Sequence, residues 1–505
     1  MTNHNLYALF ETRFANAQDK VALRPYEGGA EVSYKELACQ AAKYANALVA
    51  SGVKPGDRVT VQINKSVANV FLYLAVTKAG AVYQPLNTAY TPAEVDYFVS
   101  DAKPSLIVCD PGNREALSKI AKAHGVAAVH TLDGAGAGSL ADLAAEQSEN
   151  HETVHRDADD LAGLLYTSGT TGRSKGAMLS HENLSSNAIT LHKLWQFEEG
   201  DVLIHALPIF HVHGLYVALN TAFLNASEMI WMAKFDADAV IDALPNGTVL
   251  MGVPTFYTRL LAEERFTKEL VSNMRLFISG SAPLLAETHT AFEERTGLRI
   301  LERYGMTEAG MITSNPYDGE RIAGTVGYAL PDVSVRVADE GGNALSAGEI
   351  GVLEAKGPNI FQGYWQMPEK TAEEFRDDGY FITGDIAKQD DDGRITIVGR
   401  AKDMIISGGF NVYPKEIESE IDDMPGIGES AVVGVPHPDF GEGVIAVVTA
   451  EGVAPSEQEI ISSLSESLAK FKVPKHVYFV DVLPRNAMGK VQKAELRETY
   501  KETFA

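Results

Sequence analysis

The sequence has few cysteines, fewer basic than acidic residues and no long apolar run. Its two cysteines, Cys39 and Cys109, lie in apolar stretches and lack the paired partners of a metal site, so we expect two buried thiols. Such sparse cysteine usage is typical of a reducing cytoplasm. No segment offers about 20 consecutive apolar residues, and no signal-peptide pattern opens the chain. We therefore expect a cytoplasmic protein without a membrane span.

The shortage of positive charge limits the classes of partner that the protein can bind. Lys and Arg total 43 against 68 Asp and Glu, which gives a net charge of −25. So acidic a surface repels nucleic-acid phosphates and anionic lipid, so we expect neither nucleic acid nor a membrane as partner. An acidic surface is still compatible with small anionic ligands that bind in a local positive pocket. The 505 residues suffice for about three domain-sized units and a large core without disulfides or a structural metal.

Strand-like and helical segments alternate along most of the chain, which predicts mainly parallel sheets covered by helices. The alternation fills the first 130 residues and resumes after Asp160. A capping box from Ser33 to Glu36 is expected to open one of the helices. The predicted strands are residues 59–63, 81–86, 106–109, 127–130, 249–253 and 276–279.

The pattern changes near residue 326. Short β segments with Gly and Asp turns up to residue 400 predict a small β subdomain. Beyond it the chain is α+β, with predicted helices at 414–423 and 456–470 and strands at 430–435, 444–449 and 477–480. We predict one domain over residues 1–401 and a second over 402–505.

The most informative segment is residues 164–177, LLYTSGTTGRSKGA. A buried strand runs into a loop whose glycines permit close backbone approach, and whose N–H groups and hydroxyls can surround phosphate oxygens. Lys175 adds a positive charge. The order differs from the Walker loop. The coincidence of strand, glycines, hydroxyls and lysine favours a phosphate site over a solvated turn.

This loop resembles the signature loop of the adenylate-forming enzymes, which include acyl-CoA synthetases, firefly luciferase and the adenylation domains of peptide synthetases. Further segments resemble that family's motifs in the family's order, over almost the whole chain: YGMTE at 304–308, TGD at 383–385, GRAKD at 399–403, SGGFNVYP at 407–414 and PRNAMGK at 484–490. The resemblance implies an α/β fold. A large N-terminal domain would hold two βα-layered subdomains and a small β subdomain, followed by a small mobile α+β domain.

The resemblance also implies which residues bind ATP or AMP. Asp385 and Arg400 would hold the ribose, and the adenine would lie against Tyr304. The full implied set is Thr167, Ser168, Gly169, Thr170, Thr171, Gly172, Lys175, Ser281, Ala282, Pro283, Glu302, Arg303, Tyr304, Gly305, Met306, Thr307, Asp385, Arg400 and Lys490.

Four of the implied residues would take part in catalysis. Lys490 would stabilise negative charge as the adenylate forms. Glu308 and Thr167 would bind Mg²⁺, for which oxygen ligands are suitable. His211 would lie between the acyl pocket and a tunnel for the thiol. By residue type alone, Lys490 reads as a solvated lysine and His211 as a packed core histidine.

The family rotates its C-terminal domain between two half-reactions, and the resemblance assigns the hinge to Lys402. After rotation, Ser407, Gly408, Gly409 and Phe410 would line the tunnel for the pantetheine arm of CoA. Related synthetases are often acetylated at the residue matching Lys490, so an acetyltransferase and a deacetylase are candidate partners.

The residues of the acyl pocket are expected to determine which acid is bound. Within VPTFYTRL, Arg259 shares a predicted helix face with Thr255, and a cation in so apolar a run needs a partner. That partner is either Glu263 one turn later or an anionic ligand. Together with FHVHG and SGSAPL, the segment resembles the malonyl-CoA synthetases. In that subfamily the residues matching Arg259 and Ser281 bind the distal carboxylate of malonate, with His211 and Met306 also expected at the substrate.

The expected activity is ligation of malonate to CoA, with ATP and CoA as co-substrates and Mg²⁺ as cofactor. A CoA ligase for methylmalonate or another short-chain acid stays open, since Val212 stands where some relatives carry threonine. A nucleotide-sensing protein without turnover and a domain that loads a carrier protein are the remaining alternatives. The presence of Lys175, Glu308, Asp385 and Lys490 argues against the sensor.

Overall fold

Strands and helices alternate as predicted in the computed structural model, which describes residues 2–167, 174–407, 410–486 and 489–504. The strands are β1 (Val21–Pro25), β2 (Val32–Ser33), β3 (Arg58–Gln62), β4 (Val82–Pro85), β5 (Leu106–Cys109), β6 (Ala128–Thr131), β7 (Leu161–Thr167), β8 (Lys175–Ser180), β9 (Val202–His205), β10 (Glu228–Trp231), β11 (Val249–Gly252), β12 (Leu276–Ser279), β13 (Leu301–Met306), β14 (Gly310–Ser314), β15 (Tyr328–Ala329), β16 (Ser334–Ala338), β17 (Ile350–Lys356), β18 (Phe381–Gln389), β19 (Ile395–Arg400), β20 (Ile405–Ser407), β21 (Phe410–Val412), β22 (Ile427–His437), β23 (Gly441–Ala450) and β24 (His476–Val480).

Helices separate most of these strands in the N-terminal part. They are α1 (Leu6–Asn16), α2 (Tyr34–Ala50), α3 (Val67–Lys78), α4 (Pro92–Ala102), α5 (Arg114–His124), α6 (Ser139–Ala145), α7 (His181–Leu194), α8 (Asn220–Asn225), α9 (Ala237–Ala243), α10 (Pro254–Leu261), α11 (Ala286–Thr296), α12 (Pro368–Glu373), α13 (Pro414–Asp422), α14 (Glu457–Ser467) and α15 (Lys493–Thr499). A π-helical turn spans His213–Leu219. None of the helices in the described ranges is long and apolar enough to cross a membrane.

Two large sheets form the N-terminal body. One has the order β6-β5-β3-β4-β7-β8, and the other β15-β14-β13-β12-β11-β9-β10-β1-β2. The sheets exchange strands: β1 pairs in parallel with β10 of the second sheet, whereas β7 pairs with β4 of the first. The first residues and the strand that leads into the phosphate loop therefore belong to opposite halves, which simple sequence order does not show.

Two smaller sheets follow. The predicted β subdomain is an antiparallel sheet in the order β16-β17-β18-β19. The C-terminal sheet has the order β21-β20-β23-β22, with β24 added beside β23, and α13 packs on β22. This mixed α/β arrangement, with a large N-terminal and a small C-terminal part, confirms the predicted fold class.

Three local predictions need correction. Helix α14 ends at Ser467 rather than residue 470, because Leu468 turns extended and packs at the edge of the C-terminal core. The Ser33 cap is one-sided: its hydroxyl accepts from the Glu36 N–H, but the Glu36 carboxylate instead accepts from Gln40. Cys109 is buried as expected, whereas Cys39 is only partly buried, since it lies beside the buried stripe of α2.

Candidate active site

The ribose end of the candidate site lies on the β subdomain. Asp385 and Arg400 are register partners on β18 and β19, and Arg400 Nε lies 2.8 Å from Asp385 Oδ1. The Tyr304 hydroxyl, at the end of β13, donates to the other carboxylate oxygen. Burial and the charge of Asp385 raise the pKa of Tyr304, so that the phenol remains a donor. Asp385 is thus a buried, oriented acceptor, suited to the hydroxyls of a nucleotide sugar.

The phosphate end begins where β7 and β8 face each other. Thr167 and Lys175 are register partners across the two strands. Lys175 Nζ lies 4.1 Å from the ring centroid of Tyr364 and 3.5 Å from Glu374 Oε1. The predicted loop residues between them, Ser168, Gly169, Thr170, Thr171 and Gly172, lie outside the described residues.

Glu308 supplies a buried carboxylate beside this lysine. Burial raises its pKa, while a hydrogen bond from Tyr364 at 3.0 Å and the charges of Lys175 and Arg400 act in the opposite direction. Within the described ranges no three His, Cys, Asp or Glu side chains cluster as a complete metal site. One carboxylate fits Mg²⁺ bound with a nucleotide, since this ion uses one or two carboxylates together with phosphates and water.

Lys490 brings the C-terminal part to the same place. Its backbone N–H donates to Asn486 Oδ1 at 3.0 Å, and the residue as a whole is exposed. Burial of the amine by the surrounding protein and repulsion by Arg400 lower its pKa to about 8, although Asp385 and Glu308 partly offset this. The structure thus gathers Lys490 with the ribose and metal residues.

The opposite face of β13 carries a buried cation. Because neighbouring residues of a strand face opposite sides, Arg303 points away from Tyr304. Its guanidinium lies against Gly280, where an added Cβ would be 2.2 Å from Nη1. Within the described part of the chain, Nε and Nη2 have no hydrogen-bond partner, and no carboxylate pairs with the group. Burial lowers the pKa of Arg303 to about 9.

Polar groups without full partners surround this arginine. Ser281 Oγ lies 3.2 Å from His213 Nδ1, and the buried Nε2 of His213 has no partner among the described residues. Ser281 has a φ of 71°, a strained conformation of the kind found at functional sites. Burial, Lys490 and Arg303 lower the pKa of His211 to about 3, so the imidazole is neutral and lies within reach of both cations.

Arg259 occupies a different environment from the one predicted. Its side chain is exposed on the last turn of α10, where the helix meets solvent, so the expected apolar surroundings are wrong. No ion pair to Glu263 or to another acid is present in the described part of the chain. One turn earlier, Thr255 lies 3.9 Å from the position of a Cβ on Gly489, so Arg259 is near the segment that carries Lys490.

Some of the other predicted residues contact the site, and others pack around it. Glu302 is buried, lies 3.4 Å from His289 and accepts a hydrogen bond from the Gly324 N–H. Met306 contacts the Tyr304 hydroxyl, and Gly305 is tightly packed against Gly310. Ala282 and Pro283 follow Ser281 in the connection between β12 and α11, and Thr307 lies in the turn between β13 and β14. Lys402 is exposed after β19, Ser407 is buried, and Phe410 is exposed and stacked on Phe471. Gly408 and Gly409 lie outside the described residues.

Sequence reasoning missed two features. The strand alternation around Arg303 and Tyr304 was a signal that only one of them could face the nucleotide. Tyr364 gave no signal, because its contacts with Glu308 and Lys175 join segments far apart in the chain.

The family model described as "AMP-binding enzyme" matches residues 10–365, and the one described as "AMP-binding enzyme C-terminal domain" matches 416–490. ATP-bound MatB from Rhodopseudomonas palustris is 57% identical with a TM-score of 0.98 over all of both chains; apo MatB gives 0.87. A malonate–CoA ligase from Arabidopsis thaliana is 32% identical over 98% of this chain and 89% of its own length. A feruloyl-CoA synthase from an Amycolatopsis species is 36% identical over 94% and 95%.

Proposed function

The chain belongs to the AMP-binding enzyme family, and from this premise we propose that it ligates malonate to CoA. The reaction consumes ATP, malonate and CoA and yields malonyl-CoA, AMP and pyrophosphate through a malonyl-adenylate. The similarity to MatB and to a malonate–CoA ligase supports an AMP-forming acid–thiol ligase of this kind.

The observation that carries the choice of acid is the buried guanidinium of Arg303, unpaired among the described residues. Malonate has two carboxylates: one reacts, and the other needs a donor such as arginine. With a monocarboxylate the arginine stays unsatisfied, which costs roughly 1–3 kcal/mol or more. We assign the second carboxylate to Arg303 and Ser281, with His211 and Met306 nearby and Arg259 toward the rim.

In the first step a malonate oxygen attacks the α-phosphorus of ATP, and the bond to pyrophosphate breaks. Lys490 offsets the charge that develops on the α-phosphate, and Asp385 with Arg400 fixes the ribose. Thr167 and Lys175 hold the outgoing phosphates. Glu308 and Thr167 would hold Mg²⁺, which neutralises phosphate charge when bound. Arg303, Tyr304 and the neighbouring turns place the acid beside the nucleotide.

In the second step the CoA thiol attacks the malonyl carbonyl carbon and AMP leaves. We assign the parts to domains 1–401 and 402–505, the hinge to Lys402, and the thiol tunnel to Ser407, Gly408, Gly409 and Phe410. Two observations support this. The structure matches ATP-bound MatB better than apo MatB, which fits two arrangements of one chain. Phe410 is 55% exposed in the present arrangement, free to be covered in another.

ATP, the acid and CoA are the partners of this chemistry. The accessible amine of Lys490, with its lowered pKa, is suited to acetylation, which would remove the charge used in the first step. The two free cysteines fit a reducing cytoplasm.

The test is a pyrophosphate-release screen with ATP, Mg²⁺ and CoA over short mono- and dicarboxylic acids. We expect malonate to give the highest kcat/KM, with methylmalonate as the nearest competitor, and mass spectrometry to find malonyl-CoA. Strong turnover of acetate, hexanoate or ferulate with none of malonate would refute the assignment.

A further inference from the structure

The segment around Tyr364 connects the phosphate and metal ends of the site. The Phe361 N–H donates to the backbone carbonyl of Glu308 at 2.7 Å, on one side of the segment. On its other side, the Trp365 N–H donates to the Gly176 carbonyl at 2.8 Å, next to Lys175 on β8. The segment therefore bridges two pieces of the chain that carry separate ligands of the same nucleotide.

Tyr364 repeats this bridge with its side chain. Its hydroxyl donates to Glu308 Oε1 at 3.0 Å, and both side chains are buried. Its ring face lies 4.1 Å from Lys175 Nζ, within cation–π range. The hydrogen bond occupies one carboxylate oxygen and leaves Oε2 for other ligands.

Lys175 has a second neighbour that keeps it near this ring. Glu374 Oε1 lies 3.5 Å from Lys175 Nζ and 3.1 Å from Lys370 Nζ. Glu374 is shared with Lys370, and its contact with Lys175 is long, so a phosphate can replace it while the tyrosine ring stays in place.

We propose that Tyr364 is a positioning residue, which aims the Glu308 carboxylate at the metal and holds the Lys175 ammonium over its ring for the outer phosphates. The proposal rests on the ATP-dependent step of the proposed function but not on the identity of the acid. It goes beyond the metal assignment of Glu308, because it explains what fixes that carboxylate relative to the phosphate lysine.

The test compares ATP binding by calorimetry with Mg²⁺ and with EDTA, without any acid, and the Mg²⁺ half-saturation of pyrophosphate release. Tyr364→Phe removes the hydrogen bond and keeps the ring. We expect it to weaken Mg²⁺-dependent ATP binding and raise the half-saturation by about 5–10-fold, the usual range for one hydrogen bond, with metal-free binding unchanged. Tyr364→Leu should weaken metal-free binding as well, since the ring is lost.

The matched control is Tyr328→Phe. In the unchanged protein the Tyr328 hydroxyl donates to Asp392 Oδ2 at 2.9 Å in an exposed hydrogen bond. This control substitution should change neither quantity. Tyr364→His keeps a ring and a hydrogen-bond donor, so it should retain part of the Mg²⁺ affinity. If Tyr364→Phe does not fold, the comparison of Tyr364→His with Tyr364→Leu tests the proposal instead. An unchanged Mg²⁺ dependence in Tyr364→Phe, or equal losses with and without metal, would overturn the proposal. Because no acid is used in the binding experiment, these results are independent of the acid screen.

Discussion

At the scale of single residues, the site depends on cations in an acidic molecule. The net charge of −25 opposes every proposed ligand, since ATP, malonate and CoA are anions. Arg303, Lys490, Lys175 and Arg400 supply the local positive charge. Desolvation lowers the pKa of Arg303 and of Lys490, because it disfavours their charged forms. A bound anion stabilises the charged forms again.

Lys490 gives a pH prediction. Because its pKa is lowered to about 8, the amine loses its proton near pH 8 instead of above pH 10. Adenylation needs the charged form, so kcat/KM for ATP should be full below pH 7 and fall as the pH rises through about 8. Lys490→Arg keeps its charge, and whatever activity it retains should lack this decline. A wild-type profile that is flat to pH 10 would contradict the role of the ammonium.

At the scale of elements, the pocket depends on how β12 and β13 end side by side. Gly280 follows β12, and its missing side chain leaves room for the Arg303 guanidinium on β13. Ser281 then takes a positive φ and turns its hydroxyl toward His213. The backbone at the strand ends thus places both groups that we assign to the second carboxylate.

Gly280→Ala tests this arrangement. The new Cβ would lie 2.2 Å from Nη1, so the guanidinium must move. We expect kcat/KM for malonate to fall at least about tenfold, which corresponds to 1.4 kcal/mol, with little change in Tm. Gly134→Ala is the matched control, since an added Cβ there has no neighbour within 4 Å. Equal malonate kinetics in the two variants would show that this contact has no role in binding.

The same elements show how far the sequence alone can lead. Alternating segments predicted the strands β3, β5, β11 and β12 closely, because buried parallel strands are short apolar runs between turn residues. The exchange of β1 and β7 between sheets was not predictable, since pairing across 200 residues leaves no local pattern. The apolar neighbours of Arg259 in the sequence predicted that it lies in an apolar wall. Only the packing of α10 decides which face of that helix is exposed to solvent.

At the scale of the whole molecule, the account requires two arrangements of one chain. The C-terminal part now places Lys490 beside Asp385 and Glu308, which suits the first step only. Lys402 lies in a short 3₁₀ turn between β19 and β20, Ala401–Asp403, where a rotation needs few backbone changes.

Lys402→Pro tests the rotation. Proline fixes φ near −65°, which a 3₁₀ turn accepts, so the present arrangement should persist. We expect malonyl-AMP formation to remain within a few-fold of wild type and thioester formation from supplied malonyl-AMP to fall sharply. Lys402→Ala, which leaves φ free, should retain both. Equal loss of both half-reactions in the proline variant would argue against a hinge at this residue.

The most direct test of the central claim, that a buried arginine selects a second carboxylate, is the ratio of kcat/KM for malonate to that for propionate in Arg303→Leu, measured beside Arg259→Leu. The account predicts that Arg303→Leu lowers this ratio about 100-fold or more, about 2.7 kcal/mol, mainly through loss of malonate turnover. Arg259→Leu should lower it less, because that side chain is exposed. An unchanged ratio in Arg303→Leu, or a larger change in Arg259→Leu, would contradict the claim.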